Sequence, residues 1–249
     1  MNIIDIDGSH EVLNKYKKLK KNNDDFIILE SEKVILYAHK LGIELIEIVT
    51  HNDFYEKLTN IKANTAYRID KNILSNIIGY KSHSGVFALA SKPKIKDEYS
   101  DRVIILDNLT SPENVGSICR SASAFGFNTV IYNSKGTSPF LRRCIRVSTG
   151  HVLNLNIIKS RSLTEDIKLL RNSNFQVICS HNSKDAETLD ELQNKEQKIA
   201  LVIGSEGHGV SQEVISCCTN EVKISTDSSV EHLNASNAAS IMMHHFKKI

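Results

Sequence analysis

Several features that would place this chain quickly are missing from it. Its apolar runs fall well short of the ~18 residues a membrane span needs. Its opening, MNIIDIDGSHEVLNKYKK, has neither the basic start nor the apolar stretch of a secretory leader. The five cysteines, an odd number without paired spacing, fit reduced thiols and a cytoplasmic setting better than a disulfide framework. No GxGxxG fingerprint follows a strand, no GK[ST] triplet closes a P-loop, and no Ser, His and Asp fall in a recognisable hydrolytic order. Cys217–Cys218 and His244–His245 are adjacent pairs without metal-ligand spacing, so no metal is expected. A net charge of +2 gives no overall electrostatic case for nucleic acid. Local charge is less even: Lys15, Lys17, Lys18, Lys20 and Lys21 form one basic cluster, and Arg142, Arg143 and Arg146 another.

What is present reads as two α/β domains joined by a polar linker. At 249 residues and 41% hydrophobic, the chain can build real cores. A basic helix is expected over 9–21. Strands follow at 26–29, 43–49, 65–69 and 85–90, alternating with helices at 31–41, 52–58 and 71–77. This first domain, 1–92, holds only isolated histidines and no catalytic constellation. The segment 93–101 is polar and reads as the linker. In the second domain, 102–249, strands are expected at 103–106, 129–132, 152–158, 175–180, 199–204 and 221–225. Helices are expected from Pro112 to about Gly126 and at 138–149, 163–171, 211–217 and 234–247. This alternation is the pattern of a mostly parallel sheet.

Three stretches carry the chemistry. In the first, the helix after Pro112 has Val115, Ile118, Cys119, Ala122 and Phe125 on one face, for the sheet. Its other face is small, with Gly116, Ser117, Ser123 and Ala124 around one long cation, Arg120. Two readings fit Arg120 at this point: a cap on a helix–helix contact, or a guanidinium aimed at a ligand. In the second, a buried strand runs into Gly204-Ser205-Glu206-Gly207-His208-Gly209, where glycines let a ligand approach the backbone. Ligands in open α/β sheets sit beyond the carboxyl ends of strands. The third, SVEHLNASNAAS, opens a helix with small residues that allow close packing.

Together these segments resemble the SpoU family of RNA ribose 2′-O-methyltransferases, within the knotted SPOUT class. Asn114, Gly116, Arg120, Phe125 and Gly126 match the family's first motif. Gly204, Ser205, Glu206, Gly207 and Gly209 match the second, and Ile224, Leu233, Asn234 and Ser236 the third. RVSTG (146–150) is similar to a further family segment, and SHSGVFALA to the end of the ribosomal-protein-like RNA-binding domain that many members carry. Ser225, Thr226, Ser228 and His232 depart from the family's usual Pro, Met, Gly and Ser.

The resemblance implies a SPOUT α/β-knot domain with a C-terminal trefoil knot, a homodimer, and structured RNA as substrate, ribosomal RNA favoured over tRNA. It implies S-adenosyl-L-methionine as cofactor, held by Gly204, Ser205, Gly207, Gly209, Ile224, Thr226, Leu233 and Asn234. It implies a catalytic set of Arg120, Asn114, Glu206 and Asn234. A guanidinium, with a pKa above ~12, is a poor base, so Arg120 reads as a clamp on the target phosphate. His232 is the candidate proton acceptor. Arg142, Arg143, Arg146, Lys17, Lys18 and Lys21 are candidate phosphate contacts. The competing reading is a non-catalytic RNA-binding or assembly protein on the same fold.

Overall fold

The computed structural model describes residues 2–18, 25–51, 54, 56–58, 60–78, 85–183, 186–192, 197–227 and 232–247. The chain divides into two compact units, Met1–Pro93 with Phe140–Leu153, and Lys94–Pro139 with Asn154–Ile249.

The first unit is built on five strands: β1 (Asn2–Asp5), β2 (Phe26–Glu30), β3 (Leu45–Thr50), β4 (Ala63–Arg68) and β5 (Val86–Ser91). They lie in the order β1-β4-β3-β5-β2. β1, β4 and β3 run parallel, and β5 is antiparallel to both β3 and β2. Leu13, Ile28, Val49, Leu74, Phe87 and Leu89 form its core with the helices Val12–Lys18 and Lys71–Ile78. β1 was not expected from sequence. It is an edge strand whose Ile3 and Ile4 are about 40% exposed, so it carries no clean burial alternation. The helix expected over 52–58 is, where described, largely one 3₁₀ turn, Glu56–Leu58. The expected basic helix is described only from Val12 to Lys18; Lys20 and Lys21 lie outside the described residues.

The second unit is a seven-stranded, wholly parallel sheet: β6 (Arg102–Leu106), β7 (Thr129–Asn133), β8 (Asn156–Ser160), β9 (Phe175–Ser180), β10 (Glu187–Thr188), β11 (Lys198–Ile203) and β12 (Asn220–Lys223). The order is β10-β12-β9-β11-β6-β7-β8. All five residues of β6 are buried, as are the last five of β11. That explains their unbroken apolar runs, because a parallel sheet covered on both faces has no solvent side. From β6 the chain winds outward through β7 and β8. It then returns to the other side of β6, so the direction of winding reverses between β6 and β11.

The helix Pro112–Phe125 starts and stops by local chemistry. The Ser111 side chain accepts from the Asn114 N–H, Pro112 occupies the first turn, and Gly126 closes the helix at φ 80°. The helix Ala235–His245 packs beside it, with Ser121 Oγ 2.9 Å from Ser240 Oγ. Buried Arg102 donates from Nε to the Phe246 carbonyl at 3.0 Å and from Nη1 to the Gln197 carbonyl, fixing the end of that helix to the start of β6.

Two further expectations need correction. The helix expected over 138–149 is Arg142–Val147 only, ended by Thr149 and Gly150 at φ 55° and 83°. The strand expected from 152 begins at Asn156; Val152 and Leu153 are buried in a 3₁₀ turn, His151–Asn154. An apolar pair fills a buried turn as readily as a strand, and periodicity does not separate the two over so few residues. Among the described residues no helix is long and apolar enough to cross a membrane.

Candidate active site

The carboxyl ends of β9, β11 and β12, three neighbours in the sheet, open onto one cavity of about 590 Å³. Residues 180–182 end and follow β9, 203–209 end and follow β11, and 223, 224 and 226 end and follow β12. Residues 232–235 and Ala238, at the start of the last helix, complete the lining. This is where the general rule for open α/β sheets puts a ligand.

The loop after β11 is folded back on itself. Ser205 and Gly209 exchange both backbone hydrogen bonds, at 2.9 and 3.0 Å, leaving Glu206, Gly207 and His208 as the tip. The fold-back brings Gly209 so near Gly204 that a Cβ at 204 would lie 2.0 Å from the Gly209 carbonyl carbon. Any side chain at 204 would force the loop open. A Cβ at Gly207, by contrast, would meet nothing within 4 Å, so the backbone there is bare to an incoming group.

Two carboxylates tie this loop to the one after β6, across the point where the winding reverses. Buried Asp107 accepts from the Ser211 N–H at 2.7 Å and from Asn108 Nδ2 at 2.9 Å. Glu206 accepts from Asn114 Nδ2 at 2.9 Å and from the Ser111 N–H at 3.2 Å. Partial burial acts to raise the Glu206 pKa. The hydrogen bonds from Asn114 and from the backbone at Glu206, Ser111 and Thr110 outweigh it and hold the carboxyl below its ordinary value.

The sequence-derived candidates fall into three groups. Gly204, Ser205, Gly207, Gly209, Ile224, Thr226, Leu233 and Asn234 all line the cavity, as do Glu206 and His232. Asn114 is buried and joins the cavity only through Glu206. Arg120 is exposed on its helix and makes no hydrogen bond or ion pair with the described residues. Asn234 also caps the last helix. Its Oδ1 accepts from the Ser236 N–H at 2.8 Å and the Ser236 hydroxyl at 2.7 Å. Its side-chain NH₂ makes no hydrogen bond with the described residues.

No described residue of the basic clusters is among those lining the cavity. Arg142 and Arg146 reach the buried carboxylate of Glu30 at 3.9 and 3.6 Å, within the first unit, while Arg143 is exposed. Lys17 and Lys18 are on the helix Val12–Lys18, and Lys21 lies outside the described residues. Sequence reasoning overlooked Ser180, His181 and Asn182. The signal was available, because they close or directly follow an expected strand and the carboxyl-end rule applies to every strand of the sheet.

The lowered Glu206 pKa fixes a sign. A carboxyl whose folded pKa is depressed adds stability above its unfolded pKa, and that stability is lost as pH falls through the folded value. Glu206→Gln is therefore expected to lower the urea midpoint from pH 5 upward. The gap to wild type should close below the ordinary carboxylate range; a gap that does not depend on pH would remove the charge from the account.

Comparison with known proteins follows the same lines. Residues 101–244 match the model of the SpoU rRNA Methylase family. A Staphylococcus epidermidis protein named for the TrmH family of tRNA/rRNA methyltransferases is 35% identical over 174 residues, 65% of this chain and 69% of its own. An AdoMet-bound rRNA methyltransferase from Sinorhizobium meliloti superposes with a TM-score of 0.85 at 18% identity, covering 98% of this chain and 97% of its own. An RNA 2′-O ribose methyltransferase does so with a TM-score of 0.81 at 21% identity, over 98% of each chain. The family model spans more than half of the chain, including all three motif loops, and the chain therefore belongs to the SpoU rRNA methylase family.

Proposed function

We propose that this protein is an S-adenosylmethionine-dependent RNA methyltransferase that methylates a ribose 2′-hydroxyl, with ribosomal RNA favoured over tRNA. The observation that carries the reading is the coupling of Glu206 to Asn114. It binds the glycine loop of the cavity to the helix bearing Arg120.

The cavity fits the cofactor. Its volume lies within the roughly 300–1,000 Å³ of small-molecule sites. It offers exposed backbone at Gly207 beside the apolar Ile203, Leu233, Ala235 and Ala238. The backbone of 204–209 and 224–226 would hold the cofactor, with Leu233 and Asn234 closing over it. When bound, S-adenosylmethionine supplies an electrophilic methyl group.

The remaining roles belong to the protein. Arg120, with its fork uncommitted among the described residues, grips the phosphate of the target nucleotide and stabilises negative charge developing on the 2′-oxygen. Asn114 and Glu206 fix the helix that carries it. Asn234 donates to the target ribose from its side-chain NH₂. His232, exposed at the cavity, accepts the 2′-hydroxyl proton. We further read the chain as a cytoplasmic homodimer with the first-motif helix at the interface and a trefoil knot at its C-terminal loops. In the first unit, Arg143 and the Lys17–Lys21 cluster meet RNA phosphate, with Arg142 and Arg146 shared between RNA and Glu30.

Wild-type protein is expected to bind S-adenosylmethionine in calorimetry and to methylate ribosomal RNA from cells lacking it. Arg120→Ala should leave that affinity within about twofold while cutting turnover by about 100-fold or more. Wild-type protein that binds no cofactor would favour the non-catalytic reading instead. His232→Ala is expected to lower turnover at least about tenfold between pH 6 and 9; unchanged turnover would take His232 off the proton path. Neutralising Arg143 with Lys17, Lys18 and Lys21 should reduce the salt slope of RNA binding by roughly one for each phosphate no longer neutralised. An unchanged slope would place RNA on another surface.

A further inference from the structure

One cavity residue, His181, and the partner that holds it, Glu221, have no role in the chemistry described above. His181 follows β9 directly, its backbone N–H is fixed to the Val222 carbonyl at 2.9 Å, and its ring Nδ1 lies 2.8 Å from Glu221 Oε2 on β12. Both side chains are partly exposed, and His181 lines the cavity. An ionised carboxylate only accepts, so the hydrogen of that bond sits on Nδ1. In the neutral ring this leaves Nε2 as an acceptor of fixed position.

Position selects what it accepts from. β9 lies between β11 and β12, so His181 stands between the two backbone-rich loops, 204–209 and 224–226. Backbone N–H and C=O groups of such loops suit the donor and acceptor positions of an adenine edge. An acceptor standing between two loops that suit adenine faces the part of a nucleoside cofactor next to its base, the ribose, whose hydroxyls are neutral donors. We infer that His181, oriented by Glu221, accepts a hydrogen bond from a ribose hydroxyl of the cofactor and so selects an intact ribonucleoside. The inference rests on the cavity being the S-adenosylmethionine site.

A binding cycle separates the two claims. S-adenosylhomocysteine and its 2′-deoxy and 3′-deoxy analogues are titrated calorimetrically into wild type, His181→Ala and Glu221→Leu. Wild type should bind one deoxy analogue about tenfold more weakly than the parent. His181→Ala should bind the parent about tenfold more weakly than wild type does and lose nothing further on removal of that hydroxyl. Glu221→Leu should weaken parent binding by about threefold, because the ring then spends time in the other tautomer. Equal losses in wild type and His181→Ala, or indifference of wild type to both hydroxyls, would overturn the role of His181 while leaving the cofactor site intact. Wild type that does not bind S-adenosylhomocysteine at all would overturn the site and this inference together.

Discussion

One steric constraint governs the candidate site: the absence of a side chain at Gly204. The strand β11 is buried and stiff, and the loop that leaves it returns onto its own first residue within five positions. Only a residue without Cβ lets the Gly209 backbone come that near. The tip created by this fold-back places Glu206 where Asn114 and Ser111 can reach it and leaves Gly207 bare. The reach of the first motif helix, the exposure of the backbone and the electrostatics of Glu206 all derive from that one close approach.

The second organising fact is the reversal of winding between β6 and β11. Loops after these two strands leave in opposite directions, and such a crevice has no covalent reason to stay closed. Asp107 and Glu206 bridge it with bonds to backbone and amide groups rather than to cations. A carboxylate satisfied by N–H donors keeps a fixed direction, whereas a lysine partner would bring a flexible arm and a mobile charge. This leaves the long cation of the neighbourhood, Arg120, uncommitted among the described residues.

Much of this was legible in the residues. The buried strands of the second unit announced themselves as apolar runs, and Ser111, Pro112 and Gly126 wrote both ends of the first-motif helix. The glycine loop was readable because its residue types serve backbone geometry. What was not legible depended on tertiary pairing. β1 is held by β4 and not by its own pattern. The turn at Val152 and Leu153 looked like a strand because burial, not hydrogen bonding, sets its composition. The arginine segment read as a plain basic patch, since nothing local reveals that Glu30, over a hundred residues earlier, sits against it. The place of His181 at a strand end was readable, but its partnership with Glu221 was not: the two are 40 residues apart and meet only through the β9–β12 pairing.

The grip of Arg102 on Phe246 spans 144 residues and its bond to Gln197 spans 95. The pairing of β6 with β11 likewise joins segments with β7 to β10 and their helices between them in the chain. Contacts of such sequence separation carry a large loop-closure cost before they return anything, so a unit built on them is slow to fold. β6 gains β7 from the segment that follows it, but its other apolar edge is covered only by β11, more than ninety residues further on. The cavity is lined by the ends of β9, β11 and β12, so its shape depends on the same long-range pairings that close the sheet.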